Sequence, residues 1–253
     1  MSALRLVVVM AVATAMDAAE SEVSGPGANV DPADPVELSD FIIPNASDVR
    51  FGYSANVGRY HRSQDEGEGT DSHFIEHGVW ASYVRALSGP GRALSGRAEW
   101  RAEVGLLVSQ AEVSNPNGST GTLRTATLDL GIGPAWRITE SDTSRLEIEI
   151  MPFAGIGLSR YENDYSTEIS GFLGATSIAA SGLCGEYGIK ANLMWCWSNG
   201  WGAALHAGLV QRASRLNGDS TTHWNNGQVV RSDYTSEDIL TGVRFGLFVA
   251  RRF

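Results

Sequence analysis

The feature that most constrains the fold of this 253-residue chain is a hydropathy period of two residues, which repeats from Val49 to the C-terminus. In the first run, Phe51 and Tyr53 alternate with Gly52 and Ser54. A two-residue period places apolar side chains on one face of a β-strand and polar or small ones on the other. Eight runs of this kind can be assigned, at 49–58, 74–86, 98–109, 126–138, 146–159, 183–197, 201–212 and 239–252.

The number, length and spacing of these runs favour a closed barrel. An even number of strands, each of about ten residues or more, is what tilted membrane-spanning strands require. The connections alternate between tight ones, such as Ser198-Asn199-Gly200, and long polar ones at 59–73, 110–122, 160–181 and 213–236. We therefore predict an all-β fold, a transmembrane antiparallel up-and-down β-barrel of eight strands over residues 49–253, with long extracellular loops. A short hairpin within 161–181 would instead make ten strands.

The residues before the first strand have a different composition. Residues 1–15 join Arg5, an apolar run and a small-x-small ending, which is typical of a secretory signal peptide cleaved after residue 15 or as late as residue 19. The alternative is a short helix of the folded domain. Residues 16–48 hold eight acidic residues and no Lys or Arg, together with Pro and Gly, and we predict an acidic periplasmic leader. The formal net charge of −10 argues against a nucleic-acid partner, which needs a basic face.

The tryptophans give an independent indication of orientation. If the tight turns are periplasmic, five of the seven tryptophans fall at one rim of the barrel. An indole keeps its apolar body in hydrocarbon and its N–H near the headgroups, so this arrangement predicts an aromatic girdle. The alternative is packing inside a soluble, secreted barrel of the lipocalin type. The predicted girdle consists of Trp100, Trp136, Trp195, Trp197 and Trp201.

The C-terminal strand resembles the signature of bacterial outer-membrane barrels, which alternates and ends in phenylalanine. Phe245, Leu247, Val249 and Phe253 match that pattern, whereas Arg251 stands where the family often has an aromatic residue. The resemblance implies recognition by the barrel-assembly machinery, a location in the outer membrane, and contact with outer-membrane lipid and lipopolysaccharide. Eight strands with four outer connections are similar to the small barrels of the outer membrane protein A and X and opacity-protein type.

The residues at the alternate positions of each run, between the apolar ones, would line the interior of the barrel. Eight strands leave a lumen that side chains can fill, and charges inside it must be paired or hydrated. We predict a salt-bridged plug, with a gate that opens to ions or small solutes as the alternative. The residues assigned to the inner wall are Glu99, Arg101, Glu103, Asp129, Arg137, Glu147, Glu149, Glu186, Lys190, His206 and Arg244. The predicted network within it is Glu103, Glu149, Glu186, Lys190, His206 and Arg244.

Motifs for catalysis or metal binding are weak. His61-Arg62-Ser63 is similar to the His-x-Ser pair of lipid A deacylases, which are also eight-stranded barrels, but Gln64 stands where that family usually has Asn. His61, His73 and His77 match no closed zinc spacing. The sequence therefore predicts a barrel without enzymatic activity or cofactor, with a narrow pore and an outer-leaflet lipid enzyme as alternatives.

The predicted extracellular loops are the other place for function. They are rich in Gly, Ser, Thr and Asn and carry the aromatic residues Tyr161, Tyr165, Trp224 and Tyr234. Aromatic residues in polar loops suit recognition of a partner or glycan. We therefore expect a role in envelope integrity, in surface recognition of an extracellular ligand, or in both.

Overall fold

The computed structural model describes residues 47–64, 69–87, 98–115, 118–169 and 171–253. The predicted signal peptide and nearly all of the predicted leader lie outside these ranges. Within them, no helix is long and apolar enough to cross a membrane.

Eight antiparallel strands form a closed ring in chain order, and the eighth pairs with the first. The prediction of an all-β barrel with eight strands is confirmed. The hairpin within 161–181 exists, but it extends two existing strands and adds none. The strands are β1 (Ser47–Gln64), β2 (Thr70–Ala86), β3 (Ala98–Ser114), β4 (Thr120–Glu140), β5 (Ser144–Ile169), β6 (Phe172–Trp197), β7 (Trp201–Trp224) and β8 (Val229–Arg252).

The prediction of long loops is wrong for the two longest connections. β5 continues to Ile169 and β6 begins at Phe172, while β7 continues to Trp224 and β8 begins at Val229. Gly171 and Gly227 have φ of 79° and 85° in these tight turns, a conformation that glycine adopts without steric cost. The polar residues that separate the apolar runs are therefore strand residues, held by backbone hydrogen bonds beyond the apolar part of the barrel.

The barrel is apolar outside and largely polar inside. Outward side chains such as Ile156 and Leu183, each 74% exposed, would meet water in a soluble protein, so this surface fits hydrocarbon. From Trp136 to Ala126 β4 runs ten residues, about 33 Å along the strand and about 25 Å along the membrane normal at a tilt of about 40°. We call the outward apolar side chains within 49–57, 75–83, 100–108, 126–138, 146–158, 183–197, 201–209 and 243–249 the lipid-facing belt.

The five predicted girdle tryptophans all lie at the end of the belt where the tight turns 141–143 and 198–200 connect the strands. Trp100, Trp195, Trp197 and Trp201 are exposed, and Trp136 is partly exposed. Both Ser47 and Arg252 lie at this end, next to each other in the β1–β8 pair. This end is therefore the periplasmic one, and the opposite end, with the extended strands, is extracellular.

Candidate functional site: the filled lumen and the extracellular extension

Glu149 and Glu186 are two of the buried carboxylates that organise the ion pairs inside the barrel. Glu149 is fully buried and accepts hydrogen bonds from Arg50 at 2.6 and 2.7 Å, from Arg101, and from Asn192 at 2.9 Å. Because these partners come from β1, β3 and β6, one side chain of β5 ties four strands across the lumen.

The second organising carboxylate is Glu186 on β6. Arg212 donates to it at 2.5 and 2.8 Å, and Arg244 donates to it at 2.7 and 2.8 Å. Arg212 also pairs with Glu76, which accepts further hydrogen bonds from Asn56 and Ser109. This cluster links β1, β2, β3, β6, β7 and β8, and its carboxylate charges are compensated in place.

A small cavity lies beside the Glu186 cluster. It has a volume of about 20 Å³, which is room for one water molecule, and its walls include Asp129, Lys190, His206 and Arg244. Lys190 donates to Glu103 at 2.8 Å, while neither ring nitrogen of His206 has a hydrogen-bond partner in the described part of the chain. The imidazole instead packs edge-on against Trp80, 5.9 Å between ring centroids.

The six residues of the predicted lumen network all point inward, and the structure brings only some of them together. Glu186 meets Arg244, whereas Glu103 meets Lys190 separately and Glu149 uses other partners. Sequence reasoning left Arg50, Glu76 and Arg212 out of the network, although each has the inward parity of its own run. A complete list of the charged residues on the inward faces would have included them.

Two apolar clusters fill much of the rest of the lumen. Eight-stranded barrels have interiors just wide enough to be filled in this way. The lumen of the barrel is therefore filled by side chains, which does not favour the alternative of a pore. The periplasmic cluster is Trp80, Leu107, Met194, Cys196, Ala204, Phe248 and Ala250. The extracellular cluster is Tyr60, Phe74, Ala111, Val113, Leu123, Tyr161, Ala180, Leu216, Tyr234 and Leu240.

Above the lipid-facing belt, an ion pair and stacked aromatic rings hold the extracellular cluster together. Arg62 donates two hydrogen bonds of 2.8 Å to Asp238, and its guanidinium lies 3.8 Å from the centre of the Tyr161 ring. Tyr161 stacks on Tyr234, with 6.1 Å between centroids, and donates to Asn115 at 2.7 Å. Burial raises the pKa of both Tyr161 and Tyr234, so both phenols are neutral and can donate hydrogen bonds.

Beyond this cluster, β5, β6, β7 and β8 continue outward as a four-stranded sheet, past the described ends of β1 and β4. The β4–β5 ladder ends at Glu162, and the β1–β8 ladder ends at Ser236. Among the described residues, 163–169 of β5 and 229–235 of β8 therefore pair on one side only. We call the four-stranded sheet formed by 163–169, 172–180, 216–224 and 229–236 the extracellular extension.

The far end of the extension is apolar. The β5–β6 and β7–β8 hairpins are joined there by a backbone hydrogen bond from Asn225 to Leu173 of 2.9 Å. A soluble surface rarely groups exposed apolar side chains in this way without a partner. The exposed apolar residues of this tip are Ile169, Phe172, Leu173, Val229 and Val230.

The structure also tests the geometry of the His-x-Ser motif. His61 and Ser63 both point outward from β1, and His61 Nδ1 lies 2.9 Å from a carboxylate oxygen of Asp71 on β2. No hydrogen bond joins Ser63 to His61 in the described residues, so the contact between base and nucleophile that a catalytic dyad needs is not formed. Arg62, between them, is turned inward to Asp238. The same described residues contain no group of three potential metal ligands.

Comparisons with known proteins give matches among solved structures only. No family model and no curated protein matches the chain. The attachment invasion locus protein Ail of Yersinia pestis is 10% identical, with a TM-score of 0.32, over 83% of this chain and 100% of that one. OprG from Pseudomonas aeruginosa is 9% identical, with a TM-score of 0.35, over 83% and 96% of the two chains. The outer membrane protease OmpT from Escherichia coli is 10% identical, with a TM-score of 0.33, over 84% and 98%.

The architecture of this chain itself decides its class. The ring of eight antiparallel strands is closed, its outer wall carries an apolar belt with tryptophans at one margin, and its lumen is filled by paired charges and two apolar clusters. Exposed apolar rows on every strand exclude a soluble lipocalin-like barrel, whose apolar side chains would face the cavity. The chain is an eight-stranded antiparallel β-barrel whose apolar outer wall fits the hydrocarbon of a membrane.

Proposed function

We propose that this barrel is a non-enzymatic surface-recognition protein whose extracellular extension binds a partner in an extended conformation. The observation that carries the proposal is the edge of β8 at 229–235, which has a strand partner on one side only among the residues that the structure describes. The backbone N–H and C=O groups of alternate residues there face away from β7, and such an edge can accept an added strand.

The surroundings of the edge support this function. Val229 and Val230 at its start belong to the apolar tip, while Arg231 and Asp233 further along are exposed and charged. Charges of this kind on an edge oppose uncontrolled self-pairing and favour a partner with complementary side chains. The edge is held in place by the extracellular cluster, so a partner meets a preformed strand and little conformational entropy is lost on binding.

The test uses the refolded full chain in detergent micelles and a phage-displayed random peptide library as the probe. Peptides selected on the protein should protect backbone amides of 229–235 from hydrogen exchange. The variant Val229→Lys/Val230→Lys should lose binding of these peptides, whereas Thr221→Lys/His223→Lys should retain it. The control places two lysines at similar height on β7, which is paired on both sides. Protection elsewhere, or equal loss in both variants, would contradict the proposal.

A further inference from the structure

A basic pair lies on the outer wall of the barrel, just above the lipid-facing belt. Arg124 on β4 and Arg160 on β5 are directly paired in register, and both point outward. Their side chains are 55% and 64% exposed. The next outward pair toward the periplasm is Ala126 and Leu158, which belongs to the belt.

The height of the pair places it at the outer-leaflet headgroups. Trp136, in the periplasmic girdle, and Ala126 are ten residues apart on β4, which spans about 25 Å along the membrane normal. This is the height of the apolar band in outer-membrane barrels. Arg124 lies two residues beyond Ala126 toward the extracellular end, so its guanidinium lies where hydrocarbon gives way to the headgroups of the outer leaflet.

The local contacts leave positive charge and donors available. Glu162 accepts from Arg124 at 3.0 Å and forms an ion pair with Arg160 at 2.7 Å, and Arg124 Nε also donates to Gln110 at 3.3 Å. Two guanidinium groups thus share one directly paired carboxylate, and Glu112 on β3 is a further outward carboxylate in the row of Glu162. Each guanidinium has five N–H donors, so both retain donors that the recorded contacts do not use.

The nearby exposed arginines lack this arrangement. Arg215 on β7 is paired in register with Glu237, and Arg231 lies in the extension, opposite Thr221. Each is a single cation on its part of the wall. The pair on β4 and β5 presents two planar donor groups side by side, which suits the several acceptor oxygens of one phosphate.

We propose that Arg124 and Arg160 form a lateral binding site for the phosphate group of an outer-leaflet glycolipid. The lipid's acyl chains lie against the belt below, at Ala126 and Leu158, and its phosphate accepts hydrogen bonds from both guanidinium groups. Glu162 positions the two arginines and limits the strength of the site. This inference depends on the position of the belt and not on strand addition at β8, so either can fail without the other.

The experiment measures binding of lipid A, with and without its phosphates, to the refolded barrel by native mass spectrometry. Arg124→Gln/Arg160→Gln should weaken binding of the phosphorylated form by at least about tenfold, the change expected when one charge-assisted hydrogen bond is lost. Binding of the dephosphorylated form should not change. Arg215→Gln/Arg231→Gln, which removes the same charge elsewhere, should bind both forms as the wild type does.

A second variant has the opposite expected effect. Glu162→Gln frees both guanidinium groups and should tighten binding of the phosphorylated form. The proposal is overturned if the Arg124/Arg160 variant binds like the wild type, if the control loses as much, or if Glu162→Gln weakens binding. Displacement of the lipid by millimolar inorganic phosphate would also overturn it, since the site would then be one for free phosphate. A difference in gel mobility between unheated and heated samples confirms that each variant is folded.

Discussion

Replacement of Arg212 by Met is the sharpest test of the filled lumen. Arg212 is 1% exposed and bridges Glu186 and Glu76 with three hydrogen bonds. Methionine is unbranched and flexible and can fill the space of the aliphatic stem of Arg212, so the substitution removes the charged head and keeps much of the apolar packing. Glu186 keeps Arg244, but Glu76 then has only Asn56 and Ser109 as direct hydrogen-bond partners.

The expected loss is about 3–5 kcal/mol in the free energy of unfolding, the usual cost of removing one partner from a buried ion pair. This corresponds to a change of about two to nearly four orders of magnitude in the folding equilibrium constant. The loss should be recovered in part by adding Glu76→Gln, because the uncompensated charge is then removed. A coupling of about 1 kcal/mol or more between the two sites is expected, since they are in direct contact.

The measurement is urea unfolding of the barrel in lipid vesicles, followed by tryptophan fluorescence and by the gel mobility of unheated compared with heated samples. Arg231→Met, at an exposed position of the extension, is the matched control and should change stability by about 0.5 kcal/mol or less. If Arg212→Met unfolds at the same urea concentration as the control, the buried ions contribute nothing and the reasoning is refuted.

Three further predictions follow from the closed lumen and the outer wall. The wild-type barrel in a planar bilayer should show no discrete conductance, because both apolar clusters fill the lumen; steady single-channel events would contradict this. Ser63→Ala should leave lipid A acylation unchanged in cells that express the protein, and an altered acyl pattern relative to wild type would revive the enzyme hypothesis. Because burial raises the pKa of Tyr161 and Tyr234, the unfolded chain releases these phenolic protons first, so stability should fall as pH rises through about 10. Titration of tyrosinate absorbance should show late ionisation in the folded barrel, and this delay should shrink in the Tyr161→Phe/Tyr234→Phe variant.

The sequence predicted the membrane-spanning part of the fold well, because lipid on one side and a narrow lumen on the other impose strict alternation. It failed above the belt for the same reason. In 217–224 and 229–235 the outward face meets water, so the apolar rows that mark a membrane strand are absent and the segments resemble loops. The two-residue hydropathy period arises because one face of a strand meets lipid and the other meets the polar lumen. Above the belt the outward face meets water, so the period is lost.

The lumen could be predicted in composition but not in pairing. Parity placed Glu149 inside, yet its partner Arg50 is 99 residues away on the opposite side of the ring. Which charges meet depends on strand tilt and on the stagger of all eight strands, which no single run of residues encodes. The inner apolar residues Leu107, Phe153 and Phe248 were missed because each lies on an inward face that otherwise carries mostly polar or small residues. They are isolated in sequence and come together only when the barrel closes.

The closed ring and the extracellular extension depend on each other at the level of the barrel where the described part of the β1–β8 ladder ends. Arg62 and Asp238 are register partners that join β1 to β8, and two residues further out, after Ser236, β8 loses β1 as a neighbour. The ion pair therefore lies directly below the point where the described part of the β1–β8 ladder ends. Without it, opening of β8 from β1 could spread inward along the ladder, and the edge at 229–235 would lose its fixed position. The edge that we propose for recognition needs such a clamp, and the Arg62–Asp238 pair is buried, bidentate and packed against Tyr161.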